Sequence, residues 1–207
     1  MSVESIVRAV IRGGLSGHRA ELSANSAGDL LIANGLPPYT EMSRKGVGYA
    51  TMATAAVAAL VIRPTTVAAL EIFNNSQVNS LVVDRIFSHN LVGVANSAMG
   101  MYAMVTTQKL APTDAALAIN SLSGKPIPTK TVLTAASATV VDNGWFPYGP
   151  FGSNVTITTP GPTLVADIGG RLIVPPGCSL CLHVVATTTG VTCTSGAAWY
   201  SVKLDLE

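Results

Sequence analysis

Charge is what this chain most lacks. Asp, Glu, Lys and Arg make up 11% of its 207 residues, against roughly a quarter in an ordinary soluble domain. Basic residues form no cluster, and the net charge is only +1, so the electrostatic footprint that phosphate backbones require is missing and no nucleic-acid partner is expected. Long apolar runs are missing too. Residues 46–62 and 86–108 carry no Asp, Glu, Lys or Arg, but Gly, Ala, Thr, Ser, Asn and Gln dilute both, whereas a membrane helix needs about 20 predominantly apolar residues. No membrane span is expected. Glu4, Arg8 and Arg12 interrupt the first apolar residues before a signal-peptide core forms.

Cysteine is scarce as well. Three residues, Cys178, Cys181 and Cys193, cannot all pair within one chain, and a chain of this length can build its core without a disulfide. The spacing Cys178-Ser-Leu-Cys181 is that of a zinc or redox half-site, and Cys193 and His183 would be its only nearby supplements in sequence. A zinc site wants a second ligand pair and a redox motif wants a βαβ setting, so free, packed thiols and no metal or cofactor are the expectation. His183 is read in the same way, as a packed or half-exposed sheet residue. Hydrolase, nucleotide-binding and calcium-loop signatures are absent from the sequence. The carboxylates of the body, Glu71, Asp84, Asp114, Asp142 and Asp167 among them, are scattered singly. No enzyme is expected.

What the sequence does contain is turn chemistry at short intervals. Pro64-Thr65-Thr66, Asn74-Asn75-Ser76, Pro160-Gly161-Pro162, Gly169-Gly170 and Pro175-Pro176-Gly177 separate candidate strands at 57–63, 67–74, 80–88, 99–107, 131–133, 139–142, 154–158, 164–168, 171–174, 179–187 and 197–206. Many short strands between turns predict an all-β sandwich or barrel. Along the last strand, Tyr200, Val202, Leu204 and Leu206 alternate with polar residues and are assigned to the core. Residues 50–59 and 111–118 are alanine-rich enough for a helical reading, weakened in the first by Thr51, Thr54 and two nearby glycines.

The body, residues 46–207, is preceded by a charge-dense arm and connector, residues 1–45, which holds nine of the charged residues. Within it Val3, Ile6, Val7, Val10 and Ile11 recur at helical spacing opposite Glu4, Arg8 and Arg12, and Gly13-Gly14 follows as a stop. Three turns are marginal alone, so this apolar stripe is expected to dock on its own body or on a neighbouring subunit. From Asn34 to Gly48 two prolines and three glycines predict an extended connector. Residues 143–153 concentrate Trp145, Phe146, Tyr148 and Phe151 among Gly and Pro. That stretch is expected to be an irregular loop whose aromatics either plug one end of the sandwich or form a contact patch for a subunit or a glycan.

A body so poor in charge reads as one subunit of an assembly, its edges and faces covered by other copies or partners. The layout of Ala20-Glu21-Leu22 through Gly28-Asp29-Leu30-Leu31-Ile32, then Leu70-Glu71-Ile72-Phe73-Asn74-Asn75-Ser76, Arg171-Leu172-Ile173-Val174-Pro175-Pro176-Gly177 and a closing strand with Trp199 resembles the jelly-roll decoration, or cement, proteins of tailed-bacteriophage capsids. The resemblance implies a homotrimeric virion protein on the capsid surface that binds the major capsid protein and reinforces the head. A phage tail, fibre or receptor-binding protein is the alternative that the same layout allows.

Overall fold

The computed structural model describes residues 38–107, 118–127, 131–154 and 161–204. The chain divides into residues 1–36 and 37–207, and the second unit is an all-β sandwich of two antiparallel sheets.

The first sheet runs β6 (Ala118–Asn120), β1 (Gly48–Met52), β11 (Thr192–Val202), β4 (Ser80–Val92), β9 (Thr163–Val174), with β2 (Val57–Ala58) also paired to β11. The second runs β7 (Val132–Thr139), β3 (Val67–Asn74), β10 (Ser179–Ala186), β5 (Ser97–Thr106), β8 (Phe146–Asn154). Setting aside β2, β6 and β7, the other strands pair from the outside inwards: β1 with β11, β3 with β10, β4 with β9 and β5 with β8. This long antiparallel ribbon is folded over, because β11 also pairs β4 and β10 also pairs β5. The segment after β2 switches sheets: Ala59 donates its N–H to Val191 O, and Leu60 to Val184 O, which closes one corner of the sandwich.

Alternation supplies the core. Leu70, Ile72, Met101, Ala103, Leu180, Leu182 and Val184 from the second sheet meet Leu81, Val83, Ile86, Leu164, Ala166, Ile168, Ala197 and Trp199 from the first. Each large aliphatic side chain buried there contributes roughly 1.5–3 kcal/mol, which is where the stability of a nearly uncharged body must come from.

Several local expectations are corrected. The connector before Gly48 contains a short helix, α1 (Pro38–Arg44). Proline suits a first turn, where its missing N–H costs nothing; Glu41 pairs with Arg44 and Lys45 one turn later; and Gly46, at φ +78°, ends the helix. The Tyr39 hydroxyl ties α1 to β1 by donating to Tyr49 O. Residues 50–52 are strand, not helix. Only Val57–Ala58 of the 57–63 candidate is strand. Of the two short candidates at 131–133 and 139–142, β7 takes in most of the first, runs on through the residues between them and reaches only Thr139 of the second. Gly169 and Gly170, at φ +57° and +82°, do not reverse the chain but sit inside β9, opposite the irregularity between Val83 and Arg85 in β4. Residues 146–154 form β8 where an irregular loop was expected. The core face of β11 is the opposite of the one assigned: Trp199 and Ala197 are buried, while Tyr200 and Val202 are half-exposed. A register shift between Ala198 and Trp199 accompanies this, and β11 lies inside its sheet, so hydropathy alternates weakly along it. The apolar stripe Val3, Ile6, Val7, Val10 and Ile11, most of 111–118, and residues 155–158 lie outside the described residues.

Candidate functional site

The aromatic run at 143–153 is the richest feature outside the core, and its four large side chains divide between two roles. Asn143 Nδ2 donates to Thr106 Oγ1 at 3.1 Å. Gly144, at φ +102°, turns the chain and donates its N–H to Asp142 Oδ1 at 2.9 Å. Asp142 is itself paired with Arg63 at 2.8 Å. This turn delivers Trp145 onto the outer face of the second sheet, where the indole is 3% exposed, donates Nε1–H to Thr65 O at 3.0 Å and packs with Ala68, Met104, Val140 and Cys181. Tyr148 packs against the main core. These two are structural.

Phe146 and Phe151 are exposed instead, at 63% and 77%. The Phe151 ring lies over the backbone of β5 at Gly100, where a Cβ would come within 2.8 Å of the ring. A glycine inside a strand is what such close approach requires. Beside the ring opens a groove of about 250 Å³ lined by Val61, Gly100, Tyr102, Phe151, Val185 and Thr187. Val61 and Ile62, on the segment that follows the sheet switch, are 54% and 68% exposed. The lining carries no Asp, Glu, Lys, Arg or His, so the groove offers apolar contact and almost no polar recognition. Val61, Ile62, Gly100 and Val185 were not singled out from sequence; a glycine inside the candidate strand at 99–107 was the available signal for one of them.

The titratable groups nearby do not converge on this groove. Cys178 packs against the main core, whereas Cys181 lies on the outer face with Met104 and Trp145, so the CxxC pair is split between the two faces of the sheet. Burial pushes the Cys193 thiol up to about 11 and raises Cys181 further, with the Glu71 carboxylate adding to the latter. Both thiols are therefore protonated and poor nucleophiles at neutral pH. His183 is 1% exposed, and burial lowers its pKa, which keeps the ring neutral. Glu71 is equally buried, and burial raises its pKa against the opposing effect of a hydrogen bond with Ser179. Among the described residues no group of three His, Cys, Asp or Glu could hold a metal ion, and no helix is long and apolar enough to cross a membrane.

No known protein family, curated protein or solved structure matches this chain.

Proposed function

We propose that this protein is a structural subunit of a virion, a capsid decoration protein that binds the major capsid protein lattice and stabilises the head, and that its sandwich is a jelly roll. The jelly-roll reading is supported by the ribbon of strand pairs, taken from the outermost pair inwards and then folded over on itself. The assembly reading rests chiefly on one observation: Phe151 and Val61 stand exposed at an open apolar groove, with Ile62, the next residue along the chain, and Phe146, elsewhere on β8, exposed as well. Contiguous exposed apolar surface marks a contact site for another macromolecule, and exposed aromatics are the residues most often decisive in such contacts. The phage-head setting and the homotrimer come from the resemblance in layout alone.

The test is mass by light scattering on the purified protein, alone and after mixing with undecorated phage heads. Saturable binding that raises the heat resistance of the heads, and that is lost in the double variant F146S/F151S, supports the proposal. A protein that leaves heads untouched refutes it. The exposed aromatic pair also favours a second reading, a tail or receptor-binding component. In that case the double variant abolishes adsorption to host cells while the head is unaffected.

A further inference from the structure

Asparagine is a chemically labile residue, and most so when glycine follows it, because glycine has no side chain to hold its nitrogen away from the asparagine amide. The sequence holds two such dipeptides, Asn34-Gly35 and Asn143-Gly144. The first lies outside the described residues. The second occupies the turn ahead of β8, with Asn143 exposed and Gly144 half-buried at φ +102°.

The reaction open to this dipeptide needs only water. Gly144 N gives up its proton to solvent and bonds to Asn143 Cγ. The bond from Cγ to Nδ2 breaks, and Nδ2 leaves as ammonia after taking a proton from solvent. The five-membered imide then takes up one water. Opening at the bond between Cγ and the nitrogen gives aspartate; opening at the bond between the main-chain carbonyl carbon and the nitrogen gives isoaspartate, in which the main chain runs through Cβ and Cγ. One asparagine and one water become one aspartate or isoaspartate and one ammonia, and nothing is oxidised or reduced.

The fold grips the groups that this reaction must move. Gly144 N–H donates to Asp142 Oδ1 at 2.9 Å. The proton that must leave is therefore held by a carboxylate, whose charge also opposes a second negative charge on the nitrogen. Asn143 Nδ2, the leaving group, donates to Thr106 Oγ1 at 3.1 Å. On the near side of the dipeptide, Arg63 is bonded to Asp142 Oδ2 at 2.8 Å. On the far side, Trp145 Nε1–H donates to Thr65 O at 3.0 Å. Arg63 and Thr65 are two residues apart, so one segment clamps the chain immediately before and immediately after Asn143-Gly144. Cyclisation has to turn the main chain between those clamps to bring Gly144 N onto Cγ, and a reaction that depends on such an approach is slowed by whatever holds the atoms out of it.

We propose that Asn143 is a site of spontaneous deamidation that the fold holds in check, with Asp142 and Thr106 as the positioning residues that restrain its nucleophile and its leaving group, and that conversion to isoaspartate unseats Trp145. Isoaspartate lengthens the main chain by one carbon two residues ahead of Trp145. That indole is buried and packs with Ala68, Met104, Val140 and Cys181, and a close-packed site does not absorb a displaced ring. This chemistry is independent of the groove and of the capsid reading.

The experiment ages the full-length protein at mildly alkaline pH, folded and in guanidinium chloride, and follows aspartate and isoaspartate at residue 143 by mass spectrometry of its peptides. The folded protein is expected to react about tenfold more slowly than the unfolded chain, or slower still, since hydrogen bonds to a charged acceptor must first be broken. In the folded state Asp142→Ala is expected to recover most of that difference, and Asp142→Asn, which keeps an oxygen in place, much less of it. Thr106→Val is expected to speed the reaction severalfold without touching the Gly144 amide. Equal rates in folded and unfolded protein overturn the restraint, and an unchanged rate in folded D142A or T106V overturns the role given to that residue. The isoaspartate fraction, separated by its added negative charge, is expected to unfold at lower denaturant than the parent; a fraction that unfolds with the parent overturns the unseating of Trp145. Should a variant fail to fold, the folded and unfolded rates of the unaltered protein decide the matter.

Discussion

Glu71 is a carboxylic acid placed where a carboxylate is poorly accommodated. It is 1% exposed on the outer face of the second sheet, opposite Cys181, with Oε1 buried and without a hydrogen-bond donor. Burial holds its pKa above the ordinary carboxyl value. The unfolded chain releases the Glu71 proton at about pH 4.3, whereas the folded chain keeps it to higher pH. Across that window the folded state binds more protons, so this residue's contribution to stability falls as pH rises and levels off above its raised pKa. Glu71→Gln keeps the shape without the charge. Its urea midpoint is expected to match the parent near pH 4 and to exceed it increasingly towards pH 8; parallel pH profiles would show that Glu71 is not the cause. None of this was legible in the sequence, where Glu71 is one of several isolated carboxylates. Its burial depends on which face of β3 is covered, and the residues that help to cover it come from distant elements. His183 is closer to legible: the sequence reads it as a packed or half-exposed sheet residue, and it is buried within β10.

At the scale of elements, strand interiors were legible and strand ends much less so. β3 and β10 follow their turn residues closely, because Asn74-Asn75-Ser76 and Pro175-Pro176-Gly177 are turns whatever surrounds them. The glycines misled where tertiary contact decides their use. Gly169-Gly170 reads locally as a reversal, but the ladder to β4 keeps β9 continuous. Similarly, the Gly- and Pro-rich run 146–154 becomes an edge strand because β5 supplies a ladder for it. Gly196 shows the constraint most sharply: an added Cβ would meet the Phe87 ring and lie 2.5 Å from Thr51 O. A backbone atom in a neighbouring strand cannot step aside as an exposed side chain can. Gly196→Ala is expected to destabilise the fold by about 1–3 kcal/mol, the usual cost of overpacking, whereas Gly100→Ala only displaces the exposed Phe151 ring and is expected to leave the unfolding midpoint nearly unchanged. Chemical denaturation of the two variants side by side measures the contrast, and equal losses would mean that Phe151 is held more firmly than its exposure implies. Trp145→Ala removes an indole that is buried and hydrogen-bonded to Thr65 O. A loss of about 3 kcal/mol is expected from such a truncation, with Phe146 and Phe151 still presented if the Asp142 turn survives.

The whole molecule is held by burial rather than by charge, and that division has a measurable signature. Among the described residues there are four ion pairs, Arg44 and Lys45 with Glu41, Arg63 with Asp142, and Arg85 with Asp167, each with a substantially exposed partner. Exposed pairs of this kind are worth about 0–1 kcal/mol each and are screened by salt. With 12 basic residues against 11 acidic ones, there is also no large self-repulsion for salt to relieve. Raising sodium chloride from low to moderate ionic strength is therefore expected to leave the unfolding midpoint almost unchanged. Sodium sulfate at matched ionic strength should raise it, because sulfate strengthens the burial of apolar surface. The exposed apolar surface at Phe146, Phe151, Val61 and Ile62 should respond to the same salt by self-association, so unfolding is best followed at low protein concentration, with F146S/F151S alongside. A midpoint that falls steeply with sodium chloride would mean that a few charges carry much more of the fold than their exposure allows. A midpoint indifferent to chloride and raised by sulfate, with association suppressed in the double variant, would locate both the stability and the stickiness of this protein in its apolar surface.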